Sequence, residues 1–351
     1  MRPRRRVLPP DQTIDLLADL IDLADRDALE SRLIKSVCLL VQPATVALAR
    51  VLGDREPRWL VTAQADETGR ITTADPLLAD LRDLPALADR PDWAECFARA
   101  QVQARVNPEA ASITLFPVSG PEEVLGVLVL QTDRPLTPAV RRLVLSLLTV
   151  FRKFQALLRY SECDLLTGLL NRKSFEESFY KASALPLASS GSPGTERRHD
   201  FARQYWLALI DIDHFKQVND RFGHLIGDEV LLLLSRVMRQ CFRHADQLYR
   251  FGGEEFVVLL RCANEADAMA ALQRLRVATS TFSFPQVERI TISVGFTDVR
   301  LGDTPNAAVE RADKAVYHAK HHGRDQVCSH RVLLSSGAIE DEARPGDVEL
   351  F

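Results

Sequence analysis

The sequence has no long apolar run and no closely spaced pair of cysteines. None of its hydrophobic stretches approaches the roughly 20 residues that a membrane-spanning helix needs, so no membrane span is expected. The basic residues 1–6 are followed by Asp11 and Asp15 instead of an apolar stretch, so they do not form a secretion signal. The scattered cysteines, without a C-x-x-C pair, predict reduced thiols and a cytoplasmic protein. They are Cys38, Cys96, Cys163, Cys241, Cys262 and Cys328.

An excess of charge of one sign is also missing. The chain has 44 lysines and arginines against 48 aspartates and glutamates, a formal net charge of -4. No overall field therefore attracts nucleic acid, and nucleic acid is not an expected partner. The length of 351 residues exceeds one compact domain of usual size and suits two, and a hydrophobic content of 46% is sufficient for two packed cores.

Helix and strand patterns alternate in the N-terminal part. Apolar residues recur at helical spacing from Asp11 to about Leu40, and residues 91–102 also have helical character. A turn is expected at residues 120–123. The predicted strands are residues 45–52, 59–63, 113–118 and 124–130. A domain of mixed helix and strand content is therefore expected before residue 137.

A long helix is predicted from Thr137-Pro138, where a capping hydroxyl is followed by proline at the first helical position. Its apolar side chains alternate steps of four and three and form one continuous seam. The seam consists of Val140, Val144, Leu147, Phe151, Phe154 and Leu158. We interpret the helix as a dimerising signal helix that couples two domains. Because the seam is short, packing of the helix on the preceding sheet is the alternative.

A hairpin with two glycines and two glutamates at its tip is predicted in the C-terminal half. Strand-like stretches at 247–251 and 257–260 flank the sequence G-G-E-E at 252–255. Glycine adopts backbone angles closed to other residues and lets a ligand approach the main chain without a Cβ in between. The hairpin tip is therefore a candidate for ligand contact.

A third carboxylate is expected beside this hairpin. The apolar run 206–210 predicts a buried strand that ends at Asp211. Together with Glu254 and Glu255, Asp211 would place three carboxylates in one region. Mg²⁺ prefers such oxygen ligands and shares its coordination shell with substrate phosphates, which indicates phosphoryl-transfer chemistry.

The motif G-G-E-E-F at 252–256 resembles the signature loop of the GGDEF family of diguanylate cyclases, which join two GTP molecules into cyclic di-GMP. Three further motifs are similar to motifs of that family and occur in the same order. They are D-L-L-T-G-L-L-N-R at 164–172, D-I-D-H-F-K at 211–216, and A-D-K-A-V-Y at 312–317 with Lys320, Gly323 and Arg324. Glu254 stands where the family name has aspartate, and glutamate also occurs there in active members.

The resemblance implies an α/β domain with a ferredoxin-like, nucleotidyl-cyclase-like core at 164–331. It also implies two Mg²⁺ or Mn²⁺ ions in each active site. The implied metal ligands are Asp211, the carbonyl of Ile212, Glu254 and Glu255. Glu254 is in the position proposed for the proton acceptor, and Lys216 would oppose the charge that builds up on the transferring phosphate.

Substrate and product contacts follow from the same resemblance. Asn219 and Asp228 match the pair that recognises guanine, because an amide and a carboxylate can together complement the purine edge. The other implied GTP contacts are Phe215, Lys216, His224, Gly252, Gly253, Lys320 and Arg324. Arg243 and Asp246, an R-x-x-D pattern shortly before the hairpin, correspond with Arg274 to the family's inhibitory site for cyclic di-GMP.

Each domain of this family holds one GTP, so the resemblance implies a homodimer with two domains facing each other across a two-fold axis. The alternative is a catalytically inactive GGDEF domain that binds cyclic di-GMP or GTP as a receptor. The presence of Asp211, Glu254 and Glu255 disfavours that alternative. A domain that only activates a phosphodiesterase is disfavoured as well, since no E-x-L-type segment follows residue 330.

Residues 11–136 resemble a GAF sensor domain in their pattern and in the sequence V-L-G-V-L-V-L at 124–130, with a PAS-like domain as the alternative. Trp59, Trp93 and Phe97 either line a pocket for a small molecule or form plain core. The N-K-F-D-E pattern of cyclic-nucleotide-binding GAF domains is missing, so the ligand is unassigned.

The expected organisation is a GAF-like sensor at 11–136, a coupling helix at 137–163 and a GGDEF domain at 164–331. Residues 187–203 have the composition of a flexible loop, and residues 332–351 that of a disordered tail. His318, His321 and His322 have helical spacings that could bind a transition metal such as zinc. The resemblance places that segment towards phosphates or solvent.

Overall fold

The computed structural model describes residues 26–53, 56–76, 79, 81–106, 112–120, 124–184, 204–243, 245–287 and 289–340. The chain divides into two compact units, Met1–Ser161 and Glu162–Phe351. Some expectations lie outside the described residues. They concern residues 11–25, 121–123, 187–203 and 341–351. Within the described ranges, no helix combines the length and the apolar character needed to cross a membrane.

The first unit is built on a six-stranded antiparallel sheet. Its strands are β1 (Thr45–Leu52), β2 (Arg58–Ala65), β3 (Ile71–Thr73), β4 (Gln103–Val106), β5 (Ser112–Ser119) and β6 (Val124–Thr132), in the spatial order β3-β2-β1-β6-β5-β4. Its helices are α1 (Arg26–Val41), α2 (Pro91–Arg99) and α3 (Pro138–Glu162). Helices α1 and α3 cover one face of the sheet, and α2 covers part of the other. The four predicted strands are confirmed as β1, β2, β5 and β6.

The apolar seam of α3 packs against the sheet of its own unit. Val144, Leu147 and Phe151 are buried in the same core as Leu128 and Leu130 of β6. The remaining seam residues are partly buried there as well. Sheet packing, the alternative considered for this seam, therefore accounts for its buried residues. The role of the helix in dimerisation and in coupling two domains stays a prediction.

A second six-stranded sheet forms the centre of the second unit. Its strands are β7 (Leu170–Asn171), β8 (Gln204–Ile212), β9 (Gln247–Gly252), β10 (Glu255–Cys262), β11 (Ile292–Asp298) and β12 (Val327–Ser329), in the order β12-β11-β8-β10-β9-β7. Its helices are α4 (Arg172–Ala184), α5 (Phe215–Phe222), α6 (His224–Cys241), α7 (Glu265–Thr281), α8 (Pro305–His321) and α9 (His330–Ser335). The strand predicted before Asp211 is confirmed as β8, and the predicted hairpin as β9 and β10.

Four strands of this sheet have the ferredoxin-like arrangement. Strands β11, β8, β10 and β9 lie side by side, and each neighbouring pair is antiparallel. Helices α5 and α6 connect β8 to β9, and α7 connects β10 to β11. This is the β-α-β-β-α-β order of the predicted core, which is thereby confirmed. The short strands β7 and β12 add parallel pairs at the two edges.

The side chains of β8 alternate between two cores, as the period of a strand requires. Ala208 and Ile210 pack with residues of α6 and α7, whereas Leu207 and Leu209 pack with residues of α4 and α8. Both faces of this central strand are buried, which explains its nearly continuous apolar sequence. Asp211 is the next residue on the α8 face after Leu209, so a carboxylate emerges at the end of this core.

The first residues of the predicted tail belong to a helix. Helix α9 has Ser329 as its N-cap, whose Oγ accepts a hydrogen bond from the Val332 N–H at 3.4 Å. Leu333 is buried against α8 and Cys328. Disorder is therefore the wrong expectation for residues 332–335, because capping and burial offset the entropy lost when they become ordered.

Helix α8 lies very close to β11 at Gly295. A Cβ on this residue would be 2.2 Å from Ala312 O and 2.4 Å from Val316 N. Both are backbone atoms of α8, so neither can move aside without moving the helix. The lack of a side chain at Gly295 thus lets α8 approach the sheet and brings its last turn, with Lys320, to the end of β8.

We expect Gly295→Ala to destabilise the protein by more than about 2 kcal/mol, because the added methyl group would overlap two backbone atoms. Gly302→Ala is the matched control. Gly302 has a φ of +83°, and a Cβ there would meet nothing within 4 Å, so only the left-handed backbone opposes alanine, at a cost of about 1 kcal/mol. Urea denaturation of both variants measures the difference, and equal losses would contradict the close approach at Gly295.

Candidate active site

Asp211 and Glu255 are direct partners in the antiparallel pairing of β8 with β10. Directly opposite residues of antiparallel strands place their side chains on the same face. Glu254 precedes Glu255 at the tip of the hairpin, and Ser293 of β11 pairs with Asp211 from the other side. The structure therefore brings together the three carboxylates that the sequence predicts as metal ligands.

Lys320, in the last turn of α8, forms an ion pair with Asp211. Its Nζ is 2.7 Å from Asp211 Oδ2, and the two side chains are 33% and 8% exposed. The second oxygen, Asp211 Oδ1, is buried and has no hydrogen-bond partner in the part of the chain that the structure describes. Lys320, predicted as a phosphate contact, thus stands directly beside the carboxylates and is still partly open to solvent.

Burial raises the pKa of all three carboxyls. For Asp211 the loss of water is the largest cause of the raised pKa, Lys320 opposes it, and neighbouring aspartates add repulsion. The raised pKa values of Glu254 and Glu255 arise first from burial and next from the charge of Asp211, while Lys320 lowers both. Lys320 therefore opposes all three carboxylates and Arg172 opposes Glu255. A further cation would relieve the repulsion that remains.

This donor set fits a hard divalent cation. Carboxylates and the carbonyl of Ile212 supply oxygen ligands, and Asp211 Oδ1 is a buried oxygen without a partner among the described residues. Within the same residues, no group of three or more His, Cys, Asp or Glu side chains is arranged to hold a metal ion by itself. Further ligands would have to come from the main chain, water or substrate phosphates, as is usual for Mg²⁺.

The hairpin tip has an open backbone. Gly252 and Gly253 have φ values of 144° and 52°, and a Cβ on either would meet nothing within 4 Å. Arg250 donates from Nε and Nη2 to Gly253 O at 3.2 and 2.8 Å, and from Nη1 to both carboxylate oxygens of Asp164 at 3.0 and 3.1 Å. Arg250 thus ties the tip to the D-L-L-T-G turn, a function that the sequence analysis missed although this residue nearly adjoins the motif.

The predicted guanine-binding pair lies on α5 and α6. A Cβ on Gly227 would be 1.9 Å from Asn219 Oδ1, so the Asn219 side chain lies directly over this glycine. Asp228 is the next residue and is exposed. The structure therefore brings Asn219 and Asp228 close together. The other predicted nucleotide contacts on these helices are Phe215, which is buried, and Lys216 and His224, which are exposed.

Asp213 joins three segments of the second unit, a role that the sequence analysis missed. Its side chain is 6% exposed and accepts hydrogen bonds from Thr291 Oγ1 at 2.7 Å, Ser293 Oγ at 2.6 Å and Asp325 N at 3.0 Å. These bonds connect the end of β8 to β11 and to the loop after α8. The sequence signals at this residue were its position at the end of a buried strand and its place in the motif D-I-D-H-F-K.

The three residues of the predicted inhibitory site are also neighbours. Burial raises the pKa of Asp246, and two backbone N–H groups and the charges of Arg243 and Arg274 oppose that shift. The Asp246 carboxylate accepts hydrogen bonds from Arg243 N at 2.9 Å and Arg261 N at 3.3 Å. Arg274 donates from Nε and Nη2 to Cys241 O at 3.2 and 2.6 Å. Asp246 therefore supports the local backbone, whereas the Arg243 side chain is exposed.

The aromatic cluster of the first unit is centred on Trp59. This side chain is 1% exposed and makes edge contacts with Trp93 and Phe97, with ring centroids 5.6 and 5.8 Å away. Its Nε1 is buried without a hydrogen-bond partner among the described residues. Trp59 is thus a core residue, and Trp93 and Phe97 pack on it while partly exposed.

The histidines at the end of α8 lie in two separate ring pairs, one stacked and one tilted. The ring centroids of His318 and His322 are 3.8 Å apart, and those of His321 and Tyr317 are 4.0 Å apart. The Nδ1 atoms of His321 and His322 contact the carbonyl oxygens of Tyr317 and His318 at 2.8 and 2.9 Å. The spacing considered for zinc binding therefore corresponds to two ring pairs along the helix.

We expect Glu254→Gln to stabilise the protein at neutral and alkaline pH when no divalent cation is present, because it removes one of three like charges. A carboxyl whose pKa is raised on folding favours the fold below its unfolded pKa and loses that contribution as the pH rises through the folded pKa. The gain should reach at most about 1 kcal/mol at about pH 8, since solvent screens this half-buried group, and should vanish at about pH 4.

Urea denaturation at the two pH values in the presence of a chelator measures this effect. Glu310→Gln is the control, because Glu310 lies on the same helix as Lys320 and is exposed. A gain of equal size at both pH values, or an equal gain in the control, would show that repulsion within the carboxylate cluster is not its cause.

Comparison with known proteins assigns the second unit to a family. Residues 161–326 match the model described as diguanylate cyclase, GGDEF domain. Diguanylate cyclase DgcP of Pseudomonas aeruginosa is 41% identical over 167 residues, which cover 47% of this chain and 23% of DgcP. Diguanylate cyclase DgcM of Escherichia coli K12 is 37% identical over 164 residues, which cover 47% of this chain and 37% of DgcM.

The GGDEF domain of DgcB from Caulobacter crescentus, solved in complex with c-di-GMP, is 30% identical to this chain and has a TM-score of 0.42. The match covers 48% of this chain and 93% of the DgcB chain. The chain spans 23% and 37% of the length of the two curated relatives named above, and the similarity to them covers 47% of this chain. Residues 161–326 are a GGDEF domain of the diguanylate cyclase type.

Proposed function

We propose that the protein is a diguanylate cyclase that condenses two GTP molecules to cyclic di-GMP and two pyrophosphates. The observation that carries the proposal is the carboxylate cluster. Asp211 pairs with Glu255 across β8 and β10, and Lys320 lies 2.7 Å from Asp211, within a domain that matches the family model. GTP is a cytoplasmic nucleotide, which supports a cytoplasmic location.

Asp211, the carbonyl of Ile212, Glu254 and Glu255 are the proposed ligands of two Mg²⁺ or Mn²⁺ ions. GGDEF diguanylate cyclases use divalent metals, which when bound supply positive charge to the attacking 3′-hydroxyl and to the triphosphate. Glu254 is also the proposed proton acceptor, and its position at the hairpin tip beside Glu255, the strand partner of Asp211, supports a role at the reacting atoms.

The proposed substrate contacts surround this cluster. Asn219 and Asp228 would hydrogen-bond the guanine edge, and the contact of Asn219 with Gly227 supports a fixed amide orientation. Lys216, Lys320 and Arg324 would oppose the charge of the phosphates. Phe215, His224, Gly252 and Gly253 complete the set, and the open backbone of the two glycines supports close approach of the nucleotide.

Two features of the proposal concern assembly and control. One GTP in each GGDEF domain requires a homodimer in which two domains face each other, so that proximity supplies part of the rate. The first unit is the proposed GAF-like sensor. An antiparallel sheet with helices on both faces, as the structure has it, supports this proposal, and its small-molecule ligand is of unassigned chemistry.

Incubation of the full-length protein with GTP and Mg²⁺, followed by chromatography, tests the activity. We expect cyclic di-GMP from the wild type and a loss of at least about 100-fold in Glu254→Gln, because the substitution removes both a metal ligand and the base. Glu310→Gln should retain full activity. GTP or cyclic di-GMP binding without turnover in the wild type, after removal of any bound nucleotide, would favour a receptor instead.

Product inhibition is tested separately with Arg243→Ala. The exposed guanidinium of Arg243 can bind phosphate or guanine, so we expect the variant to resist cyclic di-GMP by at least about tenfold while its turnover without product stays unchanged. Asp246 is the wrong residue to remove, because its carboxylate holds two backbone N–H groups. Initial rates at increasing cyclic di-GMP measure the effect, and an unchanged inhibition constant would contradict it.

A further inference from the structure

The loop after α8 has a strained backbone at the residue proposed to contact phosphate. Gly323, Arg324 and Asp325 have successive φ values of 108°, 59° and 42°. The left-handed conformation is sterically unfavourable for arginine, and aspartate adopts it more readily than arginine but less readily than glycine. Such a backbone persists only where its surroundings impose it, so the contacts of this loop are informative.

Arg276 of α7 holds the loop from one side. Its Nη1 donates to Asp325 Oδ1 at 2.9 Å and to Asp325 O at 3.3 Å, and its Nε donates to Gln273 Oε1 at 2.8 Å. The side chains of Arg276 and Asp325 are 23% and 35% exposed. A guanidinium bound to both a side chain and the main chain of one residue restricts that residue more than a single surface ion pair does.

Asp213 holds the same residue from the other side. Its buried Oδ2 accepts a hydrogen bond from Asp325 N at 3.0 Å and one from Thr291 Oγ1 at 2.7 Å. The loop is therefore attached to the end of β8, two residues beyond Asp211. The backbone N–H, the carbonyl and the carboxylate of Asp325 all have partners, and each partner lies on a different element from the loop.

Hydrogen bonds also attach the loop to the C-terminal end of α8. Arg324 N donates to Ala319 O at 3.0 Å, and Gln326 Nε2 donates to Ala319 O at 2.9 Å and to His322 O at 2.8 Å. These bonds satisfy carbonyls at the C-terminal end of α8. The Arg324 side chain is exposed, so a rigid main chain presents a guanidinium that is free to meet a ligand.

We propose that Asp213, Arg276 and Asp325 are positioning residues that hold the backbone of Arg324 so that its guanidinium meets the triphosphate of the substrate. This inference rests on the proposed function, which supplies the phosphate contact of Arg324. The three residues act through Arg324 and touch no substrate atom themselves. Their contribution is preorganisation: the loop is ordered before the nucleotide binds, so binding does not have to order it.

The experiment compares nucleotide binding in Arg276→Gln, Asp325→Asn and the wild type. Calorimetry with Mg²⁺ and a GTP analogue that has a methylene group between its α- and β-phosphorus atoms measures triphosphate affinity without turnover. Guanosine monophosphate measures the contacts that do not involve the β- and γ-phosphates. Arg300→Gln is the matched control, because Arg300 is an exposed arginine of the same domain whose ion pair is with Asp298.

We expect both variants to bind the triphosphate about tenfold more weakly, which is about 1.4 kcal/mol, and to bind the monophosphate as the wild type does. The KM for GTP should rise by a similar factor while kcat changes less than about twofold. In an Arg324→Ala background, Arg276→Gln should cause no further loss, because the residue it positions is absent. The control should behave as the wild type throughout.

Unchanged triphosphate affinity in both variants would overturn the inference. Equal losses for triphosphate and monophosphate, or additive losses in the double variant, would do the same, because they indicate general damage to the fold. A wild type that binds the triphosphate but forms no cyclic di-GMP would contradict the proposed activity and leave the binding comparison intact. A wild type that does not bind the triphosphate would contradict both.

Discussion

The ammonium of Lys320 opposes three carboxylates at the end of β8. The strand register places Asp211 opposite Glu255, and the bare backbone of Gly295 lets α8 come near enough for Lys320 to reach Asp211. Because burial and mutual repulsion raise the pKa values of these carboxyls, the cluster depends on close docking of helix and sheet. The remaining negative charge of the carboxylates is what a divalent cation would neutralise, and that cation would share its ligands with the phosphates of a bound nucleotide.

The elements around this ion pair could be predicted because their sequence signals are local. An apolar run that ends in Asp211 defines β8, and two glycines followed by two glutamates define the hairpin of β9 and β10. The same reasoning located four strands of the first unit. Residues whose role depends only on the local backbone, such as Gly252 and Gly253, could therefore be identified from the sequence.

Interactions between segments that are distant in sequence could not be predicted from such local signals. The hydrogen bonds of Asp213 join residues separated by 78 to 112 positions, and no periodic pattern encodes such a pairing. The seam of α3 shows a related limit, since helical spacing identifies the apolar side but not its partner. The sheet of the first unit covers that side, and this leaves a different face of α3 available to solvent.

That outward face has a particular electrostatic character. It exposes the apolar residues Leu145, Leu157 and Tyr160 together with the cations Arg142, Arg152, Lys153 and Arg159. If two copies of α3 met in parallel through this face, each cation would lie opposite the same cation of the other copy. Exposed charges are screened over about 10 Å at 0.1 M ionic strength. Pairing along α3 would consequently become stronger as ionic strength rises, the reverse of an association between complementary charges.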